Sequence, residues 1–197
     1  NFAIKHNIPV TQTVMGYSTM KKDHSHFVGP IGGLGGKAAN NLAKETDLAI
    51  CIGTKLADFT TGSWANFENP EFKLVSINIA RHDANKHLAE AVIGDAKVTL
   101  TELSNAIGDW KSSDSWHKKS QVELKSWNEY VDKESGPTNQ ELPSYAHAVG
   151  AIYRNSDPTD IAVTAAGGLV GEVVQVWRPK ELNTHETEWG FSCMSYE

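Results

Sequence analysis

The stretch Asp47-Leu-Ala-Ile-Cys-Ile-Gly-Thr-Lys-Leu-Ala-Asp58 decides the fold that we predict for this chain. It contains a short and almost continuous apolar run, Leu48 to Ile52, which Gly53 ends. Such runs are typical of strands buried on both faces, as in a parallel sheet covered by helices. The segment before it, residues 36–45, is rich in Ala, Asn and Lys and predicts a helix.

Two more strands are predicted on either side of this pair, over residues 8–15 and 72–79. Strands that alternate with helices are typical of α/β domains. We therefore predict a Rossmann-like α/β domain over residues 1–108, with a parallel sheet flanked by helices. Ligands of such sheets bind beyond the carboxyl ends of the strands, so the loop after Ile52 is the first candidate site.

Composition narrows the class of protein. The 197 residues are 40% hydrophobic and 21% charged, as is usual for a soluble globular protein. The net charge of −6 argues against a nucleic-acid partner. We expect no membrane partner, since no apolar run could span a bilayer, and no signal peptide, since no basic start precedes an apolar core. Cys51 and Cys193 predict reduced thiols in a cytoplasmic protein. Because the chain does not begin with Met, we expect a fragment.

The segment from Tyr17 to Gly36 is predicted to be a long loop that ends in a glycine-rich turn, residues 29–36. Such a turn before a helix brings backbone N–H groups close to anions, but it also allows tight packing without a ligand, and we weigh the two equally. His24 and His26 are predicted to be solvated loop residues rather than metal ligands. Asp58 is predicted to cap the next turn rather than to act as an acid or base.

The second half of the chain changes character. Residues 109–137 interleave tryptophans with lysines and glutamates, which predicts a helical linker packed by its tryptophans rather than a single-strand nucleic-acid site. A second α/β unit is predicted over residues 138–197. It comprises a helix over residues 144–154, strands over 161–164 and 182–184, and a glycine turn over 165–171. Two short strands are too few to form a parallel sheet that is buried on both faces. We therefore expect this unit to be incomplete.

Several segments, taken in order, resemble the central domain of thiamine diphosphate enzymes of the acetolactate synthase-like group. They are Asp23-His, the run from Gly29 to Asn40, Asp47 to Gly53, Leu74 to Ile79 and Val92 to Ala96. In the second half, Ala162 to Gly167 resembles the first strand and turn of that family's pyrophosphate-binding domain, and Gly190 to Met194 resembles its glycine-rich turn. Within the family, Thr61 to Phe67, Ala165 to Glu172 and Glu188 to Glu197 look most similar to the trihydroxycyclohexanedione hydrolases of inositol catabolism.

The resemblance implies a chemistry and a partial site. It implies that thiamine diphosphate, with Mg²⁺, cleaves a C–C bond of a cyclic 1,2-dione, since the cofactor carries the difficult chemistry. Gly167, Gly168 and Leu169 match the turn near the pyrophosphate, and Cys193 and Met194 match the segment that supports the bent cofactor. The resemblance also implies a homodimer or homotetramer in the complete protein.

Departures from the family pattern limit what carries over. The family's relay glutamate lies in a preceding domain, and its Mg²⁺-binding residues would follow Glu197. We therefore expect no catalytic or metal-binding residue in this chain, and no activity in isolation. Lys55, Asn78 and Ala80 replace an Arg and two Asp residues of the FAD-binding members, so we predict no FAD. Three alternatives stay open: a 2-oxo-acid lyase or carboligase such as acetolactate synthase, a nucleotide-binding module, and a purely structural module.

Overall fold

The computed structural model describes residues 1–188 and 194–196. In these residues, strands and helices alternate along most of the chain. The strands are β1 (Val10–Gln12), β2 (Phe27–Pro30), β3 (Leu48–Ile52), β4 (Lys73–Asn78), β5 (Glu90–Ile93), β6 (Ala162–Thr164) and β7 (His185–Thr187). The helices are α1 (Phe2–His6), α2 (Lys37–Glu45), α3 (Asp58–Thr61), α4 (Arg81–Ala84), α5 (Ala96–Ile107), α6 (Asp114–Glu134), α7 (Tyr145–Asn155) and α8 (Leu169–Val176), with a short 3₁₀ turn at Lys86–Leu88.

All strand pairs of the described residues are parallel. They form a β1–β2 sheet, a three-stranded sheet in the order β3–β4–β5, and a β6–β7 sheet. Parallel strands need crossover connections, and helices supply several of them, such as α8 between β6 and β7. The predicted Rossmann-like α/β class is confirmed, since parallel sheets are flanked by helices.

The prediction that Leu48 to Ile52 is buried on both faces is wrong. The strand has the predicted bounds, but it lies at the edge of its sheet, and its end residues Leu48 and Ile52 are 44% and 41% exposed. The central strand is β4, where Leu74 and Ile77 are buried. An apolar run indicates a strand, but its place in the sheet depends on tertiary pairing, which the run does not encode.

Other strand predictions also need correction. The predicted loop over residues 17–36 contains β2, whose residues Gly29 and Pro30 pair with Thr11 and Gln12. Gly and Pro are poor strand formers, which is why the pattern did not indicate a strand there. The first strand is shorter than the predicted 8–15, and the last strand is His185–Thr187 rather than 182–184.

The helices agree with the sequence pattern more closely than the strands do. Asp95 caps α5, since its carboxylate accepts a hydrogen bond from the Val98 N–H, and Gly108 ends that helix. Helix α6 lies within the predicted helical segment 109–137, and Ser113 caps it through the Trp116 N–H. A side-chain oxygen at this position satisfies a backbone N–H that lacks an intrahelical partner. The prediction of a helix within residues 109–137 is therefore confirmed.

Helix α6 and the loop before α2 connect the two halves of the chain through three apolar clusters. Trp127 of α6 packs against two of them. The first contains Val28, Ala38 and Leu42 of the first half, and the second contains Val131, Val149, Tyr153, Val173, Val176 and Trp177. In the third cluster, Val14 and Leu34 of the first half contact Val170 and Val174 of α8. Each cluster therefore joins elements that lie far apart in sequence.

None of the helices that the structure describes is both long enough and apolar enough to cross a membrane.

Candidate functional site

The turn between β6 and α8 leaves its backbone open on one side. Gly167 has a φ of 120°, a conformation that residues with a side chain rarely adopt. Apart from their chain neighbours, none of the residues that the structure describes has an atom within 4 Å of the position that a Cβ would take on Gly167 or Gly168. Helix α8 begins at the next residue, so its first N–H groups lie beside this open side. A turn of this kind allows close approach of an anionic group to the backbone.

The carboxyl ends of β6 and β7 lie next to this turn and carry polar groups without partners. Thr164 and Thr187 face each other in register, and both are buried. Among the described residues, neither hydroxyl has a hydrogen-bond partner, and at the other end of β7 the buried Nε2 of His185 also lacks one. Buried polar atoms are nearly always satisfied in proteins, so this edge has unused capacity for a polar partner.

Histidine 185 is held neutral by its surroundings. Its side chain is buried, and this burial lowers the pKa of His185 to about 4. The ring edge packs against the ring of Tyr17, with centroids 5.3 Å apart. Burial also raises the pKa of Tyr17, because the phenolate would lose its hydration. At neutral pH both rings are therefore uncharged.

The positions of the other predicted site residues, Leu169, Cys193 and Met194, say little about cofactor binding. Leu169 is the first residue of α8 and is half-exposed. Met194 is exposed. Cys193 lies outside the described residues. Nothing in the sequence pattern had singled out Thr164, Thr187 or His185, because the burial of a polar side chain depends on which strand face is covered.

The other glycine-rich turn, residues 29–36, is filled by the protein itself. A Cβ on Gly32 would overlap the carbonyl oxygen of Phe59, and a Cβ on Gly36 would lie 2.7 Å from Nε1 of Trp127. The Asn40 side chain accepts a hydrogen bond from the Gly32 N–H and donates one to the Gly32 carbonyl, at 3.0 Å each. Of the two roles weighed for this turn, the contacts favour packing.

The loop after β3 is held by the side-chain amide of Asn78. Asn78 donates from Nδ2 to the Thr54 carbonyl and accepts from the Ala80 N–H. The prediction that Asp58 caps the next turn is wrong in detail. Residue 57 is the N-cap of α3, and Asp58 lies in the first turn, where it accepts a hydrogen bond from the Ser63 hydroxyl at 3.1 Å.

The histidine prediction is half wrong. His26 is buried rather than solvated, and its ring stacks on His117 of α6 with centroids 4.2 Å apart. Burial and the neighbouring His117 and His24 lower the pKa of His26. In the part of the chain that the structure describes, no three His, Cys, Asp or Glu side chains are grouped as metal ligands.

The family of this chain follows from comparison with known proteins. Residues 1–103, more than half of the chain, match the family described as thiamine pyrophosphate enzyme, central domain. The chain belongs to the thiamine pyrophosphate enzyme family. The matched region ends inside α5 and includes β1 to β5, so the three-stranded sheet is part of the family's central domain.

Curated members of the thiamine pyrophosphate enzyme family are similar to the whole chain. Proteins named 3D-(3,5/4)-trihydroxycyclohexane-1,2-dione hydrolase are 32% identical over 220 residues in Clostridium perfringens strain 13, 32% over 219 residues in Geobacillus thermodenitrificans and 35% over 224 residues in Bacillus anthracis. In each case 100% of this chain is covered, but only 34% of the relative. The chain thus spans about a third of the length of these relatives.

Proposed function

We propose that this chain forms the central domain and the first part of the diphosphate-binding unit of a thiamine diphosphate-dependent enzyme that hydrolyses a C–C bond of a cyclic 1,2-dione. The observation that carries the proposal is the extent of the similarity. The trihydroxycyclohexanedione hydrolases are similar across 100% of the chain, which includes the second half, beyond the central-domain match. Within that half lies the open turn at Gly167 and Gly168.

The geometry of this turn suits the diphosphate end of the cofactor. In the described part of the chain, the side of Gly167 and Gly168 where a Cβ would lie is open, which leaves room for a bulky anion, and the hydroxyls of Thr164 and Thr187 lack partners there. In our proposal the backbone N–H groups of the turn and of Leu169 hold the diphosphate. When bound, thiamine diphosphate supplies a carbanion that adds to a carbonyl carbon and then accepts the electrons of the broken bond.

The rest of the cofactor is assigned by resemblance. We propose that Cys193 and Met194 support the thiamine rings, and that Mg²⁺ accompanies the diphosphate. We propose that no FAD binds the central domain, because Asn78 holds the Thr54 carbonyl and Ala80 offers no carboxylate for a ribose hydroxyl. The proposed complete enzyme is a cytoplasmic homodimer or homotetramer.

The chain by itself is proposed to be inactive. The relatives are about three times as long, and we place the proton-relay and Mg²⁺-binding residues outside the third that this chain matches. In our proposal, the role of this chain is therefore to bind the cofactor and to orient it. The turn holds the anionic end of the cofactor, and the helix and strands around it fix its position.

The test measures turnover of trihydroxycyclohexane-1,2-dione by the full-length polypeptide, with and without thiamine diphosphate and Mg²⁺. We expect hydrolysis only when both are present. Pyruvate serves as the competing substrate, and acetolactate production from it would instead support a carboligase. Turnover of the dione without thiamine diphosphate would contradict the proposal, and turnover by the 197-residue chain alone would contradict its inactivity.

A further inference from the structure

The loop after β1 is hydrogen-bonded to β7 and to the residues just before it. The backbone carbonyl of Ser18 accepts a hydrogen bond from the Asn183 N–H at 2.9 Å. Its hydroxyl accepts one from the His185 N–H at 3.2 Å and faces the His185 carbonyl at 3.4 Å. Four residues later, the Lys22 N–H donates to the Pro179 carbonyl at 2.9 Å. Ser18 is only 2% exposed, so these bonds are shielded from water.

The same part of the chain also holds the helix on the other side of the turn. Val14 packs against Val170 and Val174 of α8, and all three are buried. Leu34 approaches so closely that a Cβ on Gly171 would lie 3.3 Å from its Cδ2. The two elements that flank the Gly167–Gly168 turn, the β6–β7 pair and α8, therefore both rest on residues 14–34.

The β6–β7 pair does not fix the turn by itself. It consists of two strands of three residues each, and an isolated two-stranded sheet is marginal in water. Its placement depends on outside contacts, and Ser18 provides three of them at the start of β7. Ser18 also has a φ of 71°, a left-handed conformation that a non-glycine residue keeps only where its surroundings hold it.

From these contacts we infer that Ser18 is a positioning residue for the Gly167–Gly168 turn. It sets where β7 begins, β7 is paired in register with β6, and β6 leads directly into the turn. The consequence for cofactor binding rests on the proposed function, whereas the consequence for the position of the turn does not.

The first arm of the test uses the 197-residue chain and two variants. Ser18→Ala removes the hydroxyl, and Ser18→Gly removes it while easing the left-handed backbone, so the second variant remains informative if the first folds poorly. We expect amide exchange at His185 to accelerate about tenfold and the NMR amide shifts of Gly167 and Gly168 to move. The control is Ser25→Ala, which removes a hydroxyl of the same loop that bonds instead to His26 Nδ1 at 2.9 Å.

The second arm uses the full-length enzyme. The concentration of thiamine diphosphate at half-saturation should rise about tenfold in Ser18→Ala, with kcat at saturating cofactor unchanged. Unmoved Gly167 and Gly168 shifts in both variants would overturn the inference. Moved shifts with unchanged cofactor affinity would support the role of Ser18 in placing the turn and overturn its consequence for cofactor binding. Moved shifts in an enzyme that needs no thiamine diphosphate would overturn the proposed function and leave the position of the turn assigned to Ser18.

Discussion

Glycine 168 offers the sharpest residue-level test of the diphosphate site. A Cβ there would meet no atom of residues 1–188 or 194–196 within 4 Å, apart from its chain neighbours, and the φ of −65° at Gly168 suits any residue. Gly168→Val should therefore change the free energy of unfolding by less than about 1 kcal/mol. The added side chain would fill the open side of the turn, so we expect thiamine diphosphate affinity of the full-length enzyme to fall at least tenfold.

The matched control for this variant lies in the other glycine turn. A Cβ on Gly33 would make only ordinary contact, with the nearest atom, the Phe59 carbonyl oxygen, 3.8 Å away. Gly33→Val should thus preserve both stability and cofactor affinity, as measured by chemical denaturation and titration calorimetry. Equal loss of affinity in the two variants would show that the Gly167–Gly168 turn is not the diphosphate site.

Histidine 185 should make the stability of the chain depend on pH. Its pKa is about 4 in the folded protein against 6.5 for an ordinary histidine. Below about pH 6.5 the unfolded chain binds a proton that the folded chain refuses, so the free energy of unfolding falls as pH falls towards 4. His185→Phe keeps a ring against Tyr17 and removes the titration. When the pH falls from about 7 to about 5, the free energy of unfolding should decrease in both proteins. The decrease should be smaller in the variant than in the unaltered chain, by on the order of 2 kcal/mol.

Urea unfolding at several pH values measures this difference. His26, whose pKa is also lowered, leaves a residual pH dependence in the variant. A His185→Phe variant with the full pH dependence would show that folding does not lower the pKa of His185.

Some residues of the candidate site could be predicted from the sequence, and others could not. A turn that needs a positive φ is marked by glycine, so Gly167 and Gly168 were predictable as a turn. Thr164, Thr187 and His185 were not, because their burial depends on which face of a three-residue strand the helices cover. Ser18 was also invisible, since its partners lie more than 160 residues away.

At the scale of elements, the linker helix α6 contributes to the stability of the chain mainly through the side chain of Trp127. Trp127 lies over the start of α2 and touches apolar clusters from both halves. Trp127→Ala should lower the free energy of unfolding by about 3 kcal/mol, at the lower end of the range for buried aromatic residues because Trp127 is only partly buried. Thermal or urea denaturation measures the loss.

Trp110 provides the comparison for this variant. It is 55% exposed and precedes the helix, and its carbonyl, which bonds to His6, is retained in an alanine variant. Trp110→Ala should therefore cost less than about 1 kcal/mol. If the two substitutions cost the same, α6 would not be held by its tryptophan contacts.

Local chemistry determined how well each element could be predicted. Helix α6 has a capping side chain at its start, and β3 and β4 are apolar runs between turns, so their bounds were close to the predicted ones. Strand β2 contains Gly29 and Pro30 and pairs through tertiary contacts that override its weak propensity. The position of β3 at the edge of its sheet depends on which strands are available as partners.

For the whole molecule, the shared clusters predict cooperative unfolding of both halves. The boundaries predicted at residues 108 and 137 would allow two independent units, but Val14 packs on Val174, and Trp127 touches both sides. We expect the most protected amides of α2 and α8 to report the same unfolding free energy, within about 0.5 kcal/mol, in native-state hydrogen exchange. Amides of α8 that open at a lower energy, with a smaller dependence on denaturant, would instead identify a separate unit.

The edge position of β3 has a consequence for the behaviour of the chain in solution. Leu48 to Ile52 contains no charge and no proline, the two features with which edge strands commonly resist aggregation. Uncharged segments with strong β-propensity recruit strands from other molecules. The concentration at which this protein precipitates should therefore be governed by these five residues rather than by its net charge of −6, and a single lysine at Ala49 should raise it.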